Sequence, residues 1–339
     1  MDNSLVKELL TEYEIKRRTA LRNADEKKIK FMNEHPEVEE IDNKISITTI
    51  QLSKSLITAS VEEKQNILNS LNKNIDDLKH KKENILANLG ISSSYFEPNF
   101  ECKICCDTGF VFNNGKSEIC SCLKQKIFNL EYNRSNIGNL GKENFSTFSL
   151  EKYSNEINEE KYHARISPRT NIRNIKKICE KFIENFDNPE EKNLLFTGNT
   201  GLGKTFLSNC VAYELLKQGK TVLYQTAPIM LDTIIDYRFG KSNANSLILD
   251  NLLNVDLLII DDLGTETINN MKFTELFNVV NTRILNQNNR ITKTIISTNL
   301  NIDELFKTYS TRIGSRLAGN YRILRFFGDD LRLKKKARD

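Results

Sequence analysis

The chain has 339 residues, of which 39% are hydrophobic, enough for one ordinary core and a second, smaller unit. Its formal charge of +4 is small for that length, so global charge does not announce a nucleic-acid binder and any such claim rests on local patches. The longest purely aliphatic stretch, Leu257 to Ile260, is too short to cross a bilayer, and Met1-Asp2-Asn3-Ser4 leads into Lys7, Glu8 and Glu12 rather than an apolar leader, so a cytoplasmic protein with no membrane partner is expected.

Residues 1–98 read as a helical arm. All fourteen glycines fall at or after Gly90, and Pro36 is the only proline before Pro98, so helix breakers are scarce. Leu5, Leu9, Leu10 and Tyr13 recur at helical spacing, as do Ile67, Leu71, Ile75, Leu78, Ile85 and Leu89. His35-Pro36 should break or kink the first helix, and Thr58-Ala59-Ser60 with Glu62 and Glu63 marks a later helix start. The pattern fits equally a hairpin that stabilises only itself and a docking arm for another protein.

Residues 99–132 form a cysteine module. Cys102-x₂-Cys105, followed after fourteen residues by Cys120-x-Cys122, has the two-knuckle form of a structural zinc site, with Asp107-Thr108-Gly109 supplying a turn and Cys106 as the spare thiol. The C-x-C pair is tighter than the usual C-x₂-C, and free thiols or a redox pair are the competing readings. Such a zinc ion would tie the arm to the polar connector that follows over 133–166, with Phe145, Phe148 and Tyr153 scattered through it.

Regular structure resumes from 167 to 339. Ile172, Ile175, Cys179, Phe182 and Phe186 mark a helix in which Cys179 reads as a core thiol. Leu194-Phe196, Val222-Tyr224, Leu257-Ile260, Thr294-Ser297 and Ile323-Phe326 then alternate with amphipathic stretches. That alternation predicts an α/β fold, a parallel sheet with helices on both faces.

The first of these strands runs into Gly198-Asn199-Thr200-Gly201-Leu202-Gly203-Lys204-Thr205, which matches G-x-x-x-x-G-K-[ST], and Leu207, Val211 and Leu215 give the next helix a buried stripe. The glycines let backbone N–H groups wrap a phosphate at a helix N-terminus. Lys204 would bridge the β- and γ-phosphates of ATP, the Thr205 hydroxyl would ligate Mg²⁺, and Phe206 continues the binding segment. Asp261 and Asp262 close the most aliphatic strand, placing Asp261 to hold Mg²⁺ and Asp262 or Glu266 to orient the attacking water. Asn299 ends a further buried strand on the same sheet edge. Tyr237-Arg238-Phe239-Gly240-Lys241 mixes aromatic and basic residues, as a surface for single-stranded DNA would, although a solvated helix end has the same composition. Lys334-Lys335-Lys336 and Arg338 read as a basic tail.

In combination, the cysteine module, Ser167-Pro168-Arg169, the P-loop with Thr205-Phe206-Leu207-Ser208, Asp261-Asp262-Leu263-Gly264-Thr265-Glu266, Ser297-Thr298-Asn299 and Arg312-Ile313-Gly314-Ser315-Arg316-Leu317 resemble the AAA+ helicase loaders of the DnaC and DnaI type, with the transposition ATPase IstB as a close relative. The resemblance runs from about Cys102 onward. It implies a P-loop AAA+ ATPase without a helical lid, with Asn299 as sensor 1, Arg316 as an arginine finger reaching a neighbouring subunit's ATP, and Arg332 as a sensor 2-like group. It also implies self-association through the ATPase domain, single-stranded DNA bound near Tyr237, Arg238 and Lys241, and the replicative hexameric DNA helicase as partner of the arm. Asp262 stands where many AAA+ proteins carry Glu. The alternatives are an IstB-like transposition helper and a nucleotide-gated binding module with negligible turnover.

Overall fold

The computed structural model describes residues 3–58, 61–113, 115–131, 142–240, 247–267, 269–286 and 291–335. Two compact units divide the chain, one covering 7–118 and the other dominated by 119–339.

In the first unit, α1 (Asn3–Glu34) stops at the expected break, and Pro36, which has no N–H to donate, opens α2 (Pro36–Thr58). The third helix, α3 (Val61–Asn88), packs along α2, with Lys82 Nζ 2.6 Å from Asp42 Oδ1. Phe31, Met32, Val38 and Leu86 form a small core. Ile67 and Leu71 carry side chains outside the described residues. A short ribbon follows, β1 (Phe110–Asn113) paired with β2 (Lys116–Ile119).

The second unit begins with α4 (Ser121–Glu131) and, after a short 3₁₀ turn at Leu150–Lys152, continues through α5 (Glu159–Tyr162) and α6 (Pro168–Glu184). Ser167 caps α6 by accepting from the Thr170 N–H. Strands β3 (Asn193–Thr197), β4 (Val222–Thr226), β5 (Leu257–Leu263), β6 (Lys293–Thr298) and β7 (Tyr321–Arg325) form one sheet in the order β4-β5-β6-β3-β7, with every pairing parallel. Between them run α7 (Lys204–Lys217), α8 (Ala227–Arg238), α9 (Leu247–Asn254), α10 (Asn270–Asn286) and α11 (Ile302–Asn320), and α12 (Leu331–Lys335) comes last. One hydrophobic cluster includes Ile172, Phe182, Phe196 and Leu207, and a second includes Leu231, Leu258, Val280 and Ile313. A sheet covered on both faces explains the uninterrupted aliphatic runs of β5 and β6, which an exposed face would have broken with polar residues.

The strands predicted from the sequence are all present. The last begins two residues earlier than expected and releases Phe326, whose N–H still donates to the Thr197 carbonyl at 2.7 Å. Among the described residues, no helix is long and apolar enough to cross a membrane.

Candidate nucleotide site and cysteine cluster

Strand β3 is buried along its whole length and delivers the chain to the P-loop, where Gly198, Gly201 and Gly203 adopt φ values of +135°, +73° and +91°. Space is as restrictive as conformation. A Cβ on Gly198 would run into the Phe326 carbonyl, on Gly201 into the Asp330 carboxylate, and on Gly203 into the Tyr153 hydroxyl. The loop is also held from outside: the Tyr153 hydroxyl donates to the Leu202 carbonyl at 3.1 Å and the Leu331 N–H to the Gly201 carbonyl at 3.0 Å.

Lys204, 6% exposed, folds back over the loop. Its ammonium donates to the carbonyls of Gly198 and Asn199, the latter at 2.8 Å, and to Asn299 Oδ1 at 2.9 Å. Burial pushes its pKa down to about 8, against the opposing pull of Asp261 and Asp262 and with the help of Arg332. A polyphosphate would supply the negative charge that the buried ammonium lacks.

Asp261 is 4% exposed and fully engaged. Thr205 Oγ1 donates to its Oδ2 at 3.0 Å, as does the Tyr224 hydroxyl, while Ser297 Oγ and the Asp262 N–H (3.1 Å) donate to Oδ1. Three strands and the P-loop helix therefore converge on one carboxylate beside a threonine hydroxyl, an oxygen donor set suited to Mg²⁺ through water. Burial drives the Tyr224 phenol's pKa upward, as do Asp261 and Asp262, so it remains a donor. Sequence reading missed Tyr224, because an aromatic residue in a strand looks like packing; only the β4–β5 register, with Thr226 opposite Asp261, brings it near.

Asp262 interrupts the pairing of β5 with β6, with a register shift between Ile260 and Leu263, and its φ is +54°. The bulge turns its carboxylate outward to line the cavity. Burial, then the neighbouring Asp261 charge, raises its pKa. Glu266, the other expected water-orienting group, goes elsewhere: 6% exposed, it accepts from the Tyr309 hydroxyl and from the Gly264 N–H at 2.9 Å and does not line the cavity.

The cavity, about 1290 Å³, is ample for a nucleotide. Lys204, Thr205, Asp262, Asn299 and Arg332 lie along it, and so do Glu143, Phe148, Tyr153, Phe206 and Arg169. The connector thus builds a wall of the site, which its polar composition concealed. Arg169 explains part of the Ser167-Pro168-Arg169 signature, since its Nε donates to the Tyr153 carbonyl at 3.0 Å and fixes that wall.

Arg316 lies on the exposed face of α11 with Arg312 one turn away, and neither lines the cavity. Arg238 closes α8 and pairs with Glu275 of α10 at 3.1 Å, so the expected DNA-contacting guanidinium is already committed to a carboxylate. Tyr237 is half-buried, Lys241 lies outside the described residues, and so do the side chains of the basic tail.

Within 102–122, the Sγ atoms of Cys102, Cys105, Cys120 and Cys122 all lie within 4.8 Å of one another. A tetrahedral zinc with Zn–S distances of about 2.3 Å needs sulfurs of that closeness. Cys106 is not part of this group, and the backbone is left-handed there, with φ +49° at Cys106 and +56° at Asp107, whose carboxylate accepts from the N–H groups of Glu101 (2.9 Å) and Cys102 (2.7 Å). The Gly109 N–H donates to Cys105 Sγ at 3.4 Å.

A profile of the family described as IstB-like ATP binding protein matches residues 147–339, more than half the chain. The chain belongs to this family. Relatives of the IstB-like chain include the replicative helicase loader DnaC of Escherichia coli (strain K12), 28% identical over 139 residues, which are 41% of this chain and 55% of that protein. The chain thus spans about half the length of the curated relatives it matches. The insertion sequence IS1162 putative ATP-binding protein of Pseudomonas fluorescens is 32% identical over 98 residues, 28% of this chain and 39% of that one. Among solved structures, a DnaC helicase loader superposes with a TM-score of 0.43 at 21% identity, covering 56% of this chain and 99% of that one. The family's name and the arrangement of sheet, P-loop and helices agree on an ATP-binding P-loop fold.

Proposed function

We propose that this chain is an ATP-driven loader of the replicative hexameric DNA helicase. The observation that carries the ATPase reading is that Lys204, Thr205 and Asn299 line one cavity, with Lys204 bonded to Asn299 and Thr205 bonded to Asp261 behind it; the likeness to DnaC supports the loader role. Backbone N–H groups of Gly201 to Thr205 and the Lys204 ammonium would hold the β- and γ-phosphates. Mg²⁺, held by Thr205 and through water by Asp261, would neutralise phosphate charge. Asp262 would orient water for attack on the γ-phosphorus, forming one P–O bond as the bond to the β-phosphate oxygen breaks, and its raised pKa suits it to accept the water's proton. Arg316 would act from a neighbouring subunit and Arg332 from within, with single-stranded DNA met near Tyr237 and Lys241. A structural zinc on the four cysteines completes the assignment.

Lys204→Ala tests the site. Binding of a fluorescent ATP analogue and ATP turnover should both be lost while the zinc content holds, and unaltered turnover would overturn the reading. The likeness to the insertion-sequence protein favours transposition help as the second reading. Capture of the host's replicative helicase by the full chain supports loading; failure of capture with ATP and single-stranded DNA present transfers support to the second.

A further inference from the structure

One acidic group in the nucleotide cavity does not fit phosphate binding. Glu143 lines the same space as Lys204 and Thr205, and its carboxylate would repel a polyphosphate lying against it. Its anchor shows where it sits relative to the phosphate end. Oε2 accepts from Asn209 Nδ2 at 2.6 Å, and Asn209, 2% exposed, follows Thr205 by one turn of α7. One turn is about 5.4 Å along the axis, away from the helix N-terminus that faces the phosphates. Phe148 and Phe206, with ring centroids 5.7 Å apart, line the same cavity and offer apolar faces there. Among the described residues, Oε2 is the oxygen that has a hydrogen-bond partner, which leaves Oε1 as an acceptor on the cavity wall.

An acceptor beside aromatic rings, one helical turn from a phosphate cradle, is placed to meet the edge of a base. We propose that Glu143 selects the nucleobase, its Oε1 accepting a hydrogen bond from the amino group at the six position and so favouring adenine over guanine bound in the same orientation. The inference rests on the ATP-binding reading of the cavity. Adenine presents an N–H donor at its six position, whereas guanine presents a carbonyl oxygen there, which would set acceptor against acceptor with no partner for either. Residue 143 lies before the stretch matched by the family profile, so this specificity element is not among the residues by which the family is recognised.

The test is displacement of a fluorescent, ribose-labelled ATP analogue from the full-length protein by ATP or GTP in the presence of Mg²⁺. The unaltered protein should prefer ATP by at least about tenfold, the scale of one hydrogen bond to a charged group. Glu143→Ala should bring the two affinities to within about twofold, chiefly by weakening ATP. Glu143→Gln can keep the Asn209 contact while offering a base either an acceptor or a donor, and should give an intermediate ratio. It also guards against misfolding of the alanine variant. An ATP-to-GTP ratio unchanged in both variants would overturn the proposal while leaving the phosphate site standing. Failure of Lys204→Ala to reduce binding of the analogue would instead overturn the site reading and this inference with it.

Discussion

Single hydroxyls decide the shape of this site. The Tyr224 phenol is buried and its pKa is raised, so it can serve Asp261 only as a donor. Tyr224→Phe keeps the ring but takes a hydrogen bond from a buried carboxylate, which typically costs about 1.5–3 kcal/mol. Denaturant unfolding of the nucleotide-free protein should show an unfolding free energy lower by that amount and so a lower midpoint; an unchanged midpoint would mean that the hydroxyl does not hold the carboxylate. Thiols give a second residue-scale prediction. Burial pushes Cys210 up to about 12 and Cys179 higher still, so both should resist iodoacetamide at pH 8 until the chain unfolds. Mass spectrometry of the zinc-loaded protein should find alkylation confined to Cys106, and chelation should expose Cys102, Cys105, Cys120 and Cys122. Alkylation of all five before chelation would argue against the metal.

At the scale of elements, what could be read from the sequence divides by range. The P-loop, its strand and its helix were legible because glycine conformation, helix start and buried stripe are written within some twenty consecutive residues. So were the breaks at Pro36 and the order of the five parallel strands' sequences. Their spatial neighbours were not legible: no local pattern says that β4 lies beside β5, and Tyr224 and Thr226 acquire their roles only through that register. Glu266 shows the converse error. Nearness in sequence to Asp262 suggested a shared task, but the bulge at Asp262 sends the two carboxylates to different surroundings, one to the cavity and one to Tyr309. Likewise, the basic and aromatic end of α8 gives no sign in the sequence that Glu275 of α10 pairs with Arg238. Local charge was legible and its partner was not.

For the whole molecule, the exposed face of α11 bears on assembly. Arg316 stands outside its own chain's cavity, so a finger role requires a neighbouring subunit. Arg316→Ala should bind ATP nearly normally yet turn it over slowly, while Lys204→Ala has a dead pocket and an intact Arg316. Mixing the two should restore ATPase activity when DNA or helicase promotes assembly, since an arginine finger contributes about 10³ to 10⁵ in rate. A silent mixture in which mixed oligomers are shown to form would transfer the role to Arg312. The placement of β7 beside β3 has a different kind of consequence. The strand that leads into the P-loop pairs with a strand encoded far downstream, and Phe326, Asp330 and Leu331 complete the loop's surroundings. During synthesis at about 5–20 residues per second, β3 must therefore leave the ribosome and wait several seconds with that edge unpaired. A nucleotide can find its full set of walls only after these downstream segments have followed the P-loop out, and the protein's need for chaperones should be greatest in that interval.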